Sequence, residues 1–213
     1  MMKIKSFTFN PFQENTYVIY DNTKECIIID PGCYTEEEQV KLKKFITNHN
    51  LKPVKMINTH CHIDHILGNK FISNEWGVEL YIHKSDLPIL ENAENIAKIY
   101  GFENYEKSPY PKHFLNEDDI LTFGKSNFKI LFTPGHAPGH ICLYNKENNL
   151  LVGGDLIFQG SIGRTDLPGG SQKILIQSIN TKIFPLPNET QIFCGHGPST
   201  NLGYEKETNP FLL

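Results

Sequence analysis

The sequence predicts an α+β protein, built from two β-sheets packed face to face with helices on the outside. Two observations carry this. Short apolar, β-branched segments are followed by segments with helical spacing, and that succession occurs twice along the chain. Glycine, proline and asparagine punctuate the segments, and no short-period repeat, heptad pattern or low-complexity tract points to a solenoid or coiled coil. At 213 residues the chain is expected to form one domain, 1–213, with a sizeable core.

The elements follow in order. Residues 3–9, 16–21 and 26–30 read as strands, separated by Asn10-Pro11 and Asn22-Thr23-Lys24, and the third ends at the turn Asp30-Pro31-Gly32. Thr35 followed by Glu38 is a capping-box pattern, opening a helix that carries Val40, Leu42, Phe45 and Ile46. Residues 54–59 read as a buried strand behind Pro53. Residues 66–76 space Ile66, Leu67, Phe71, Ile72 and Trp76 as a helix does. A strand at 78–82, a helix at 88–100 and a polar loop at 101–119 close the first half. In the second half, 121–123, 127–133, 141–145 and 150–153 read as strands. A helix at 171–184 is bounded by Gly169-Gly170 and Pro185. A last strand at 191–194 and a terminal helix at 200–208 complete the chain.

Composition narrows the function. A net charge of −4 and no basic patch argue against nucleic acid as the main partner. No apolar run approaches the roughly 20 residues of a membrane span, and the first residues lack the apolar core of a secretory signal. The 5 cysteines are odd in number and show no C-x-x-C spacing, so reduced thiols in a cytoplasmic protein are expected.

The densest chemistry lies in His60-Cys61-His62-Ile63-Asp64-His65, three imidazoles and a carboxylate where a strand gives way to a helix. These are ligands that zinc, iron and manganese accept at neutral pH. His60 and His62 are two apart and point the same way from extended backbone. Cys61 then points the other way and is the weaker candidate. Three later segments each offer ligands just after a strand: Thr133-Pro134-Gly135-His136-Ala137-Pro138-Gly139-His140, Gly153-Gly154-Asp155, and Cys194-Gly195-His196. With His140 taken from the first of these, the candidate ligands are His60, His62, Asp64, His65, His140, Asp155 and His196. Seven exceed the needs of one tetrahedral ion and suit two metals sharing a carboxylate and a hydroxide.

In these motifs the chain resembles the metallo-β-lactamase-fold hydrolases of the short, single-domain glyoxalase II-like branch. The matching signature is Thr59-His60-x-His62-x-Asp64-His65, Pro134-Gly135-His136-x-x-Gly139-His140, Gly154-Asp155 and Gly195-His196. Asp30-Pro31-Gly32, the stretch from Asp119 to Gly124, and Gly163-Arg164-Thr165-Asp166 match as well. The resemblance implies a four-layer αββα sandwich. It assigns His60, His62 and His140 to a first metal, Asp64, His65 and His196 to a second, and Asp155 to both, with a loop-shaping hydrogen bond for His136. It implies two divalent ions, zinc foremost with iron or manganese as alternatives, and a bridging hydroxide that attacks a small-molecule thioester or ester. Asp64 and Asp155 are then catalytic. Arg164 either meets an anionic part of the substrate or pairs with Asp166 to shape its loop.

The chain ends at Leu213, without the C-terminal helical domain that helps full-length glyoxalase II bind glutathione. Gly197-Pro198-Ser199 stands where a tyrosine commonly follows the last metal histidine. The expected activity is therefore hydrolysis of hydroxyacyl-glutathione or a similar thioester. The alternatives are a lactone or ester hydrolase of the same fold and a mononuclear-iron persulfide dioxygenase, which shares these motifs. A β-lactamase of this fold usually lacks the shared aspartate, and a tRNA-processing nuclease fits poorly with the acidic charge.

Overall fold

The turn-bounded apolar segments become strands in the computed structural model, which describes residues 2–213. The backbone gathers into two units. One runs to Phe114 and takes in Thr122–Ser126; the other comprises Leu115–Leu121 and Asn127–Leu213.

The first unit holds a six-stranded sheet in the order β1-β2-β3-β4-β5-β6, formed by Lys3–Phe9, Glu14–Tyr20, Glu25–Ile29, Lys52–Ile57, Leu80–Ile82 and His113–Phe114. Short turns join β1, β2 and β3, which therefore pair antiparallel. Asn10 and Gln13 take positive φ to close the first turn. Longer connections follow, and β3 to β6 pair parallel. Helix α1 (Glu36–Asn48) begins at the capping box the sequence predicts: Thr35 accepts from the Glu38 N–H, and the Glu38 carboxylate accepts from the Thr35 N–H. Val18, Ile28, Leu42, Ile46, Met56, Ile72 and Leu80 form the core between sheet and helices.

Two predicted helices are broken. The one expected at 66–76 divides into α2 (Ile63–Ile66) and α3 (Asn69–Trp76). At the break the Gly68 N–H donates to the Pro31 carbonyl at 2.6 Å. A Cβ on Gly68 would meet Cys33 Sγ and that carbonyl, so only glycine permits the approach. The helix expected at 88–100 becomes a 3₁₀ turn (Lys84–Asp86), α4 (Leu87–Glu91) and α5 (Ala93–Ile99), interrupted at Asn92.

The second sheet has the order β14-β13-β10-β9-β8-β7. In chain order these are β7 (Ile120–Phe123), β8 (Ser126–Phe132), β9 (Ile141–Asn145), β10 (Leu150–Gly154), β13 (Gln191–Cys194) and β14 (Thr200–Asn201). A separate hairpin, β11 (Ile157–Phe158) with β12 (Ser161–Ile162), interrupts the run and has no counterpart among the predicted elements. Strands β10 and β13 pair parallel, with a bulge between Val152 and Gly154. Helix α6 (Gln172–Ser178) passes into a π turn (Ile179–Ile183), and α7 (Leu202–Thr208) follows β14. Leu131, Leu151, Leu156, Leu175, Ile179, Ile192 and Leu202 fill the core. Among the described residues no helix is long and apolar enough to cross a membrane.

Gly135 has φ +135, and a Cβ there would fall on the Leu175 backbone of α6. Gly135→Ala is therefore expected to cost on the order of 3 kcal/mol, from overpacking plus a forbidden φ. Calorimetry checks this; a melting temperature equal to the parent's would refute the close approach.

Candidate metal centre

In the first unit the ligands follow the carboxyl end of β4. Asp30, just past β3, organises them. Its φ is +49, a left-handed conformation that costs a non-glycine residue energy. The backbone holds it there: the Asp30 N–H donates to the Ile57 carbonyl at 2.9 Å. Its Oδ1 accepts the Thr59 N–H at 2.6 Å, and its Oδ2 accepts the Thr59 hydroxyl at 2.6 Å. His65 Nδ1 lies 3.1 Å from the same Oδ2.

Counting protons then fixes two tautomers. The Thr59 hydroxyl spends its hydrogen on Asp30, so His60 Nδ1, 3.1 Å from Thr59 Oγ1, is the donor in that bond. His65 Nδ1 likewise carries its proton toward Asp30. Both rings thereby present Nε2 as a lone pair, the arrangement of outer carboxylates behind metal-binding histidines. Asp30, His60 and His65 bring ligand-type atoms within 4.8 Å of one another, but Asp30 serves here as the orienting group. The His60 ring lies 4.7 Å from that of His62 and 4.1 Å from that of His65. His65 Nε2 faces Asp64 Oδ2 at 3.5 Å.

Cys61 points away, as its place between His60 and His62 predicts. It is buried in the core, its N–H donates to Asp86 Oδ2 at 2.7 Å, and burial pushes its thiol well above the usual range. Asn58 supports the far side, donating to the His65 carbonyl at 3.0 Å while exchanging bonds with Asn69.

In the second unit Asp155 and His196 follow the carboxyl ends of neighbouring parallel strands, β10 and β13. The Gly195 N–H donates to the Gly154 carbonyl at 2.7 Å, which holds the two ends together. Asp155 Oδ2 lies 3.5 Å from His196 Nε2 and 3.5 Å from His136 Nε2. His136 Nδ1 is 2.7 Å from the Arg164 carbonyl, which only accepts, so that nitrogen holds the proton and Nε2 the lone pair. His140 is arranged differently. Its Nε2 accepts the Asp155 N–H at 3.1 Å, and its Nδ1 therefore donates to Thr133 Oγ1 at 2.9 Å.

The hydrogen bonds engage these two histidines differently. His140, read as a ligand, accepts the Asp155 N–H at Nε2 and meets the Thr133 hydroxyl at Nδ1. His136, read as a loop-shaping residue, presents a lone pair to the Asp155 carboxylate. Both sit in one glycine-rich loop, and what differs is the partner of each: the Arg164 carbonyl for His136 and the Asp155 N–H for His140.

Three histidine–carboxylate distances of 3.5 Å recur across the two sets. In each, an imidazole Nε2 faces a carboxylate oxygen at more than good hydrogen-bond length. Two donors each about 2.1 Å from one tetrahedral ion lie about 3.4 Å apart. The residues therefore fit divalent metal ions.

Arg164 forms a bidentate pair with Asp166 at 2.7 Å for both bonds, which holds the Asp166 carboxyl down at about 2. Of the two roles open to Arg164, the structure contains the loop-shaping pair. Beside it, a Cβ on Gly163 would overlap the Asp155 carbonyl, so this loop needs glycine to close over the ligand strand.

The model of the metallo-β-lactamase superfamily matches residues 9–196. The hydroxyacylglutathione hydrolase GloC of Haemophilus influenzae is 37% identical over 212 residues, covering 99% of this chain and 98% of that protein. Among solved structures, BLEG-1, described as a B3 metallo-β-lactamase, aligns with a TM-score of 0.90 at 35% identity, covering 99% of each chain. TTHA1623 in a di-iron-bound form aligns with a TM-score of 0.88 at 38% identity, covering 98% of this chain and 100% of that one.

Proposed function

Because this chain belongs to the metallo-β-lactamase superfamily, and is a metal-dependent hydrolase of that fold, we propose that it hydrolyses a thioester, hydroxyacyl-glutathione or a close analogue. In this reading His60, His62 and His136 hold one ion, Asp64, His65 and His196 hold a second, and Asp155 serves both; His140 braces Asp155. The observation that carries it is the equal 3.5 Å spacing of Asp155 Oδ2 from two imidazole Nε2 atoms, those of His136 and His196. The ordered signature, and a family match that runs from residue 9 to residue 196, support reading 1–213 as one domain. Zinc is the first choice of metal. Iron and manganese also suit mixed nitrogen and oxygen ligands, and TTHA1623 is di-iron-bound.

When bound, such a pair supplies a water ionised at neutral pH and polarises the acyl carbonyl. The chain supplies orientation. Asp30 and the Arg164 carbonyl hold three imidazoles in the tautomer that offers Nε2, so no ring has to turn or lose a proton as the site fills. Asp64, only partly buried, orients the attacking water and relays its proton.

The partner is a small molecule, with neither nucleic acid nor membrane. The acidic net charge of −4 and the absence of a long apolar helix among the described residues support this. Five buried cysteines with no disulfide among the described residues support a cytoplasmic setting.

The test joins elemental analysis of anaerobically purified protein to a panel of hydroxyacyl-glutathione, simple thioesters, lactones and β-lactams. About two metals per chain, with the highest kcat/KM on thioesters and on the order of 10⁴ M⁻¹s⁻¹ or more, is expected. A preference for lactones or β-lactams would remove the thioesterase reading. One iron per chain with oxygen uptake on glutathione persulfide would replace hydrolysis with oxidation.

A further inference from the structure

Glu14, the first residue of β2, is a fully buried carboxyl that the metal chemistry does not use. Its Oε2 lies 2.9 Å from Thr16 Oγ1. That same hydroxyl oxygen lies 2.8 Å from the Asp30 carbonyl and accepts the Gly32 N–H at 2.9 Å. A threonine hydroxyl has one hydrogen and accepts two. The Asp30 carbonyl can only accept, and the Gly32 N–H can only donate. If Glu14 were ionised, two acceptors would compete for one hydrogen in a dry interior, and an anion would be left short of donors. If Glu14 carries a proton on Oε2, every contact of Thr16 is satisfied: Glu14 donates to Thr16, Thr16 donates to Asp30, and Gly32 donates to Thr16.

We infer that Glu14 is a neutral carboxylic acid whose proton, passed through Thr16, locks the turn at Asp30–Gly32 and so orients His60 and His65. It is a positioning residue, three contacts removed from His65 Nδ1 and four from His60 Nδ1, the ring nitrogens opposite those offered to a metal. Three further observations agree. Glu14 Oε1 is buried without a hydrogen-bond partner, a loss that an uncharged carbonyl-type oxygen tolerates far better than half of a carboxylate. A Cβ on Gly32 would overlap Glu14 Oε2, so the turn lies directly against the acid. Burial, opposed by the His65 ring, pushes the Glu14 carboxyl well above the usual range, and the nearby Asp30 and Asp64 carboxylates add to the push. The turn needs such a clamp because Asp30 sits at φ +49 while its carboxylate holds Thr59 and faces His65.

The test has two arms. The first is the infrared difference spectrum between the parent and Glu14→Gln at neutral pH, in both metal-free and zinc-loaded protein. A protonated-carboxyl C=O band present in the parent and missing from Glu14→Gln is expected; a spectrum with only carboxylate bands would overturn the inference. The second arm measures zinc affinity by competition with a chelator, and it rests on the metal-centre reading. Glutamine keeps the shape, the neutrality and a donor toward Thr16, so Glu14→Gln should bind zinc within about twofold of the parent. Thr16→Val breaks the relay and should bind it on the order of 10-fold more weakly. A tenfold or greater loss in Glu14→Gln would mean that the site needs a negative charge at Glu14. Parent-like affinity in Thr16→Val would mean that Thr16 transmits nothing. Either result overturns the positioning role. Should the parent itself bind no metal, the metal-centre reading falls, while the infrared arm still decides the state of Glu14.

Discussion

Asp155→Ala is expected to fold, to hold little metal, and to hydrolyse its substrate on the order of 1000-fold more slowly, the equivalent of about 4 kcal/mol of transition-state stabilisation. One carboxylate oxygen faces Nε2 of both His136 and His196, so its removal weakens two sets of ligands together. The backbone is expected to hold its place, because the Asp155 N–H still donates to His140 and the Gly195 N–H still donates to Gly154. Elemental analysis and circular dichroism on the same sample separate the two effects. Asp155→Asn makes a stricter comparison, since it preserves shape and removes only the charge. A variant that kept full metal content and full rate would end the shared-carboxylate reading.

His136→Ala is expected to lose metal and to slow turnover by roughly 100-fold or more, whereas His140→Ala should lose on the order of 10-fold, the usual range for a residue behind the ligands. The difference follows from the proton positions. His136 gives its Nδ1 hydrogen to a carbonyl and offers Nε2 to the centre; His140 spends both nitrogens on protein atoms. His140→Ala has its own signature. It leaves the buried Asp155 N–H and Thr133 hydroxyl short of a partner, so a stability loss of about 1–3 kcal/mol should accompany the modest kinetic effect. Metal titration and thermal melts on both variants check this. If His140→Ala shed a full equivalent of metal while His136→Ala retained it, the roles proposed for the two histidines would be refuted.

Most strands were legible because each is a short apolar run ending at a turn residue. Helix α1 was legible because Thr35 and Glu38 form a real capping box. The breaks in the later helices were not. Gly68 interrupts its helix for the sake of a contact with Pro31, distant in sequence, which no local periodicity encodes. The hairpin of β11 and β12 was missed because two-residue strands carry no alternation to detect. At the site, residue types and spacing named the ligand segments. They could not choose between His136 and His140, whose assignment depends on which nitrogen meets a carbonyl and which meets an N–H. Asp30 was visible as part of a turn, but its hold on two imidazoles appears only once Thr59 and His65 are placed beside it. Glu14 gave no signal, since a lone glutamate in a strand reads as solvent-facing until its burial is known.

The parallel pairing of β10 with β13 acts as a ruler for evolution and for engineering. Asp155 and His196 stand just beyond strand ends whose register is shared, with Gly154 opposite Cys194. One residue inserted at either of those ends would slide a ligand by about 3.3 Å and turn it to the opposite face. The same insertion at the starts of these strands, in the turn at 146–149 or in the segment at 185–190, would be absorbed before the register begins. Tags, loop grafts and permuted termini therefore belong on that edge of the second sheet, and the opposite edge should be treated as fixed in length.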